Sequence, residues 1–538
     1  MATALKAVSK EHKAPPASDL FAGASTRDVL GSTHTDELVI ALCGPIGSPL
    51  HEVADKLRDM LRSTFSYEAC RVVRLSQFIE EHAKRASRSI PDTPAERRHA
   101  LIDIGDEMRS VYGASVLAEL AVHEIRVDRE LNARDQQTRQ YLPRRACHII
   151  DSIKNQQELE LLRTVYREAL YVVGVFAPVS AREQSLRTQG LDNAAIAMLM
   201  DRDSGEERDD GQTVQETFPQ CDFFLRMDTN TETQLRARVE RFLHLVLGTQ
   251  VITPTRAETA MYAAASAASN SACLSRQVGA AVTDQEGEVL AIGWNDVPRA
   301  FGDLYVSEVA RAGGTGSAGE DLRCWNFGGK CYNDEEKDLL AGHVVDALGD
   351  LVTAGHRQAA LDRVKGNRKL RGLIEFSRSI HAEMHAILTA LRQKGDRVRG
   401  GKLFVTTYPC HSCARHIIAA GITEVYYIEP YKKSLAIRLH GDAMTESEEA
   451  SDKVRLLPYD GVAPTRFLSL FKMKPDSRKR NGKVIRLAPD QGTPKAEKSL
   501  EALPALEALV VESLRRKSLV EDPSPGDANH EDSGPTPA

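Results

Sequence analysis

A chain of 538 residues is long enough for two or more domains, each able to bury its own core. Its apolar content of 42% and charged content of 27% are ordinary for a globular protein, and its net charge of −6 argues against broad attraction to a polyanion. No apolar run approaches the ~20 residues of a membrane-spanning helix, and the first twenty residues lack the apolar stretch of a secretory leader. Nine scattered cysteines fit thiols or a metal site in a reducing, cytoplasmic setting better than a disulfide framework.

Residues 1–35 are polar and without periodicity, so they read as a flexible arm. From Glu37 the pattern becomes strand, turn, helix: "ELVIALC", "GPIGSPL", then the amphipathic "HEVADKLRDMLRSTF". Further strand candidates, "ACRVVRL", "RACHIID", "LYVVGVFAP" and "CDFFLRMD", alternate with helical stretches up to "TETQLRARVERFLHLVLG". This alternation predicts an α/β domain over 36–250, a mostly parallel sheet wrapped by helices.

The turn "CGPIGSPL" sits where a strand hands over to a helix, and Gly44, Gly47 and Ser48 are placed to cradle a phosphate on backbone N–H groups. It departs from G-x-x-x-x-G-K-[ST], because Ser48 and Pro49 follow Gly47 and no Lys is present. Three readings stay open: a tight β–α turn, a degenerate nucleotide-sensing loop, and an active kinase. By analogy alone, Arg182 in "VSARE" and the loop "RDDGQT" are candidates for phosphate contacts.

"TQVITPT" marks the seam to a second α/β pattern over 255–475. The tail 476–538 is rich in Pro, Gly, Ser and charges and reads as disordered, apart from one helix candidate, "SLEALPALEALVVESLRRK".

Within the second pattern, "SRSIHAEMHAIL" and "TTYPCHSCARHII" carry the chemistry. Cys410 and Cys413 are three apart where a helix should begin after a strand, so both thiols share one face, and the helix N-terminus favours thiolates. His381 also falls at a predicted helix start, with Ser379 as the candidate cap. One His and two Cys make a three-ligand zinc set with a fourth position left for water. Glu383, two residues past His381, is placed to reach that water as a proton carrier. Taken singly, a helix His is usually surface or core, and a C-x-x-C also serves redox or structural ends. A zincin is excluded because Ala382 stands where its Glu would be.

The joint pattern H-x-E with P-C-x-x-C resembles the cytidine and deoxycytidylate deaminase superfamily. "SRQVGAAVTDQEGEVLAIGWNDVP" looks like that family's opening hairpin, which implies that Asn295 contacts the sugar and that Arg276 lies near the substrate. The family often has Asn four residues after the zinc His, where this chain has His385. With "IDIGDEMR", "IIDSIKNQQELELLRTVY", "GVFAPVSARE" and "YYIEPYKKSLAIRLHGDA", most of 37–474 is similar to bacterial antiphage dCTP deaminases.

That resemblance implies an N-terminal P-loop, nucleotide-kinase-like domain joined to a C-terminal α/β/α deaminase-like domain. It implies zinc-dependent hydrolytic deamination of dCTP, or of dCMP, depleting the dCTP pool during phage infection. It also implies a nucleotide at the P-loop-like turn, a regulatory small RNA or phage-derived trigger, and a homo-oligomer. Lys432, Lys433 and Arg276 are hypotheses for the phosphate contacts. A salvage dCMP deaminase and a polynucleotide cytidine deaminase are the alternatives; an aromatic content of 5% and a pI near 6.3 speak against the latter. Residues 301–376 form an insertion containing Cys324, Cys331, His343 and His356, which hold either a second zinc or ordinary thiols and surface imidazoles.

Overall fold

Leu38–Cys43 (β1) is apolar at every position and buried at every position, as a central parallel strand covered on both faces must be. It is seen in a computed structural model that describes residues 31–135, 140–203, 213–227, 232–307, 321–430, 434–473, 478–496, 499–500 and 502–520. With Ala69–Arg74 (β2), Ala146–Ile153 (β3), Leu170–Phe176 (β4) and Phe223–Arg226 (β5) it forms a parallel sheet in the order 5-4-1-3-2. Leu50–Ser63 (α1) follows β1 and buries Leu50, Val53, Ala54, Leu57, Met60 and Leu61, one stripe at 3.6-residue spacing. Val116–Asn132 (α2) and Gln156–Tyr166 (α3) cover the other face, with Val122, Ile125, Leu159 and Leu162 in the core.

A second sheet begins at Gly279–Thr283 (β6) and Val289–Trp294 (β7), an antiparallel hairpin. Lys402–Thr407 (β8) joins β6 antiparallel; Glu424–Glu429 (β9), Met444–Thr445 (β10) and Val454–Pro458 (β11) extend the sheet in parallel. Arg256–Ala268 (α4) packs on one face, placing Ala260, Met261 and Ala264 with Ala281 and Phe404. Tyr332–Ala347 (α5) belongs to the insertion. Ala382–Lys394 (α6) and His411–Ala419 (α7) lie on the opposite face, against Ala280, Val282, Leu403 and Val405. Alternation along β6 thus divides two helix layers, and the expected α/β class holds in both halves.

The halves do not part at the seam expected near 250. Gly461–Val462 (β12) leaves the second sheet and pairs antiparallel with β5 of the first. Arg466, 5% exposed, donates to Asp222 (3.0 Å) and to the Leu170 carbonyl (2.8 Å), so residues nominally of the second domain complete the first.

The termini also differ from expectation. Thr33 and His34 pair with Ser499, inside the stretch read as a flexible arm. In the tail the helix expected within "SLEALPALEALVVESLRRK" is present, and what differs is that it docks: Leu503–Arg516 (α8) lies on α2 and α3 and buries Leu503, Val510, Val511 and Leu514. Its Glu507 is fully buried, pairing with Arg129 and accepting from Tyr166 Oη at 3.0 Å. The composition of the flanks misled, because an acidic residue in a Pro-rich stretch reads as solvated until its buried cation is known. None of the nine cysteines is in a disulfide, and no described helix is long and apolar enough to cross a membrane.

Candidate active site

Two helix starts converge on one face of the second sheet. His381 is the N-cap of α6, and Cys410 is the N-cap of α7, immediately after β8 and Pro409. Ser379, expected to cap α6, does not; it lines the adjoining cavity instead. The Cys410 thiol sulfur accepts from the Cys413 backbone N–H at 3.4 Å, which holds both sulfurs on the first turn. His381 Nδ1 lies 3.3 Å from Cys410 Sγ and 3.2 Å from Cys413 Sγ.

These three form the group of metal donors found among the described residues. A tetrahedral zinc with bonds of about 2.0–2.3 Å sets its donors roughly 3.5–3.8 Å apart, so a small opening of the triangle would seat one. The electrostatics agree. Hydrogen bonds from Cys413 and His381 outweigh burial and hold the Cys410 thiol down at about 4, while the bond to Cys410 lifts His381 to about 9. Burial pushes Cys413 well up. The protons shared among the three donors hold places that a divalent cation takes when it binds. The donor set therefore fits zinc.

Glu383 sits on the first turn of α6, 5% exposed, with its carboxyl in hydrogen-bonding reach of Cys413. Burial makes the Glu383 carboxyl a weaker acid than an exposed one, raising its pKa above the ordinary value. Beside it opens a cavity of about 540 Å³, large enough for a nucleotide. His381, Glu383 and Cys410 line it together with Asn295, Arg276 and Tyr408.

Asn295 reaches the cavity but its side chain is already engaged: Oδ1 accepts from Val278 N–H (2.7 Å) and Nδ2 donates to the Arg276 carbonyl (2.9 Å). It shapes the loop that presents Arg276, whose guanidinium pairs with Glu429 at 3.0 Å. His385 does not line the cavity. Its Nδ1 accepts from Trp294 N–H at 3.2 Å and its ring stands edge-on to Trp294, tying the end of β7 to α6. Lys432 and Lys433 lie outside the described residues.

In the insertion, His356 bonds Thr353, and Cys331 faces Ser275 at 3.5 Å. Among the described residues, Cys324, Cys331, His343 and His356 do not form a second donor group. Sequence reasoning missed the insertion's real contribution, which is a cavity wall carrying Asn333, Lys337 and Arg371. No motif or charge pattern in the insertion announces it.

The second predicted site lies at the carboxyl end of β1, beside the point where the chain turns to opposite sides of the parallel sheet. Gly44, Gly47 and Ser48 form the turn into α1. Gly47 has φ +84°, and a Cβ there would stand 2.9 Å from the Arg182 carbonyl oxygen, so only glycine fits. Lys154, from the end of β3, donates to the Gly44 carbonyl at 2.7 Å, and Arg182 to the Ile46 carbonyl at 3.4 Å. Two cations, Lys154 at the end of β3 and Arg182 on the helix Val179–Thr188, thus stand against this turn. The loop "RDDGQT" lies, but for Thr213, outside the described residues.

Residues 254–429 match the family model "Cytidine and deoxycytidylate deaminase zinc-binding region". The deoxycytidylate deaminase of Enterobacteria phage T2 is 28% identical over 182 residues, 33% of this chain and 82% of that protein. The UPF0200 protein of Saccharolobus islandicus strain Y.G.57.14 is 25% identical over 211 residues, 39% of this chain and 94% of that protein. Among solved structures, the dCMP deaminase of cyanophage S-TIM5 in apo form is 19% identical and covers 39% of this chain and 100% of its own, with a TM-score of 0.21. Residues 254–429, which carry His381, Glu383, Cys410 and Cys413, are thus similar to the zinc-binding region of cytidine and deoxycytidylate deaminases.

Proposed function

We propose that the chain is a zinc hydrolase that deaminates deoxycytidine nucleotides, dCTP and dCMP, to their deoxyuridine counterparts. The observation that carries this reading is the buried Glu383 beside the His381, Cys410 and Cys413 donors, at the floor of one nucleotide-sized cavity. His381, Cys410 and Cys413 would hold the ion, which supplies Lewis acidity and lowers the pKa of water.

The chain's own residues move the protons. Water adds to C4 of the cytosine ring, giving one proton to the Glu383 carboxylate, which returns it to N3. Glu383 then takes the proton of the new C4 hydroxyl and passes it to the amino group; the C4–N4 bond breaks as the C4 carbonyl forms, and uracil and ammonia result. Burial raises the pKa of the Glu383 carboxyl, which favours its acting as acid as well as base. Tyr408 and the Asn295-shaped loop orient the nucleotide against it.

The kinase-like parallel sheet joined to a deaminase-type region supports the further reading of pool depletion against phage, with the Gly44–Ser48 turn binding a regulatory nucleotide. Homo-oligomerisation and control by a small RNA or phage-derived trigger follow from the same resemblance. The test is ammonia and uracil release from dCTP, dCMP, CTP and single-stranded DNA by the zinc-loaded protein. Turnover of the deoxynucleotides, abolished in Glu383→Ala with zinc retained, is the expected result. Activity surviving in Glu383→Ala would overturn the assignment; activity on dCMP alone would replace pool depletion with salvage.

A further inference from the structure

One wall of the active-site cavity takes no part in holding a metal or moving a proton. Helix α5 brings Asn333, Asp334 and Lys337 to it, and the short helix Arg368–Arg371 with the residues after it brings Arg371, Gly372, Leu373 and Ile374. Two bonds lock these pieces together. Lys337 Nζ donates to the Arg371 carbonyl at 3.0 Å, and Asn333 Nδ2 donates to the Leu373 carbonyl at 3.1 Å. Asn333 Oδ1 is buried with no partner. The Lys337 ammonium also lies 3.3 Å from Asp334, whereas Arg371 has no ion pair among the described residues.

Exposure sorts the cavity into two ends. Glu383 and Cys410 are 5% and 7% exposed, while Arg371 is exposed and the Arg276 side chain is 51% exposed. An uncharged ring loses little by entering the buried end, but a phosphate does not, because desolvating an unpaired anion is expensive. The anionic end of a ligand therefore stays toward the rim, where Arg276 and Arg371 stand, with the Lys337 side chain, 13% exposed, just below them. Arg276, Lys337 and Arg371 line the same cavity, with Glu429 and Asp334 as the carboxylates that phosphate oxygens would replace.

We infer that Lys337 and Arg371 are specificity-determining residues that grip the 5′-phosphates of a nucleotide whose base lies against Glu383, with Arg276 joining them. This rests on the nucleotide-deaminase reading above. The insertion is then what distinguishes a phosphorylated substrate from the bare nucleoside. Lys337 does so from a fixed position, because the Arg371 carbonyl already holds its ammonium in place.

The experiment uses the full-length, zinc-loaded protein, wild type against Arg371→Ala, Lys337→Gln and the double variant. Calorimetry measures binding of deoxycytidine, dCMP and dCTP; competition by inorganic pyrophosphate against dCMP is read alongside; ammonia release gives kcat and KM. Each lost charge-assisted contact should weaken dCMP and dCTP about tenfold in Kd and KM, with kcat less affected and deoxycytidine unchanged. Pyrophosphate should compete in the wild type and fail in the double variant. A purely structural role for Lys337 would weaken nucleoside and nucleotide alike. That result, unchanged nucleotide binding, or absence of pyrophosphate competition in the wild type would each overturn the inference. Should the wild type bind nucleotides without releasing ammonia, the deaminase reading falls, while the affinities still decide this one.

Discussion

Gly293 governs how closely the helix bearing Glu383 approaches its sheet. A Cβ there would lie 2.3 Å from the Ala386 nitrogen and 2.6 Å from the Ala382 carbonyl oxygen, both backbone atoms of α6. Gly293→Ala should therefore destabilise the protein by at least about 1–3 kcal/mol and weaken zinc binding with it, because His381 rides on the displaced helix. Thermal unfolding and a chelator titration would show both; an unchanged zinc affinity would mean that α6 repacks without moving its N-terminus. Cys410→Ser should abolish stoichiometric zinc in elemental analysis, since a hydroxyl replaces the thiolate that the site stabilises. At this scale the clustering of His381, Cys410 and Cys413 was legible, because all three stand at helix starts, where spacing sets their direction. Lys337 and Arg371 were not, since what aims them is a pair of backbone contacts inside an insertion with no motif.

Among the elements, α8 offers the sharpest contrast between faces of one helix. Leu514 is fully buried against α2 and α3, whereas Leu509 is 71% exposed. Leu514→Ala should cost about 2–5 kcal/mol through the cavity it leaves, while Leu509→Ala should stay within about 0.5 kcal/mol. Equal, small effects in urea or thermal unfolding would show that the helix does not dock in solution. The strands of both sheets could be recognised from apolar runs such as "LVIALC" and "LFVTT". Docking of α8 could not, because it depends on Glu507 meeting Arg129, a partner 378 positions away. The same holds for β12, two residues long, whose pairing with β5 no local pattern announces.

For the molecule as a whole, that buried ion cluster links stability to pH. Burial alone would raise the Glu37 carboxyl, but Arg129 and Arg144 outweigh it and hold it down at about 2, against an ordinary 4.5. A carboxylate held below its unfolded value stabilises the fold fully above pH 4.5, and the contribution fades as pH falls from there toward 2. Its size is about 3 kcal/mol. Melting temperature should thus drop steeply across that window in the wild type and less steeply in Glu37→Gln, which starts lower at neutral pH. Parallel curves would place the acid sensitivity elsewhere. The core agrees with such coupling, since one apolar cluster runs from Val39 and Val172 through Phe224 to Phe404 and Leu514.

Because α8 closes the layer over α2 and α3, the first sheet is covered by residues that a ribosome adds long after the sheet's own segment. At roughly 5–20 residues per second, some 15–50 s separate the completion of the first sheet's own segment from the arrival of its final helix. During that interval Arg129 has only half of its carboxylate partners, and the apolar surface that Leu503, Val510 and Leu514 cover faces solvent. The nascent chain therefore carries this face open until the helix arrives, and a late-translated segment becomes the latch on one translated early.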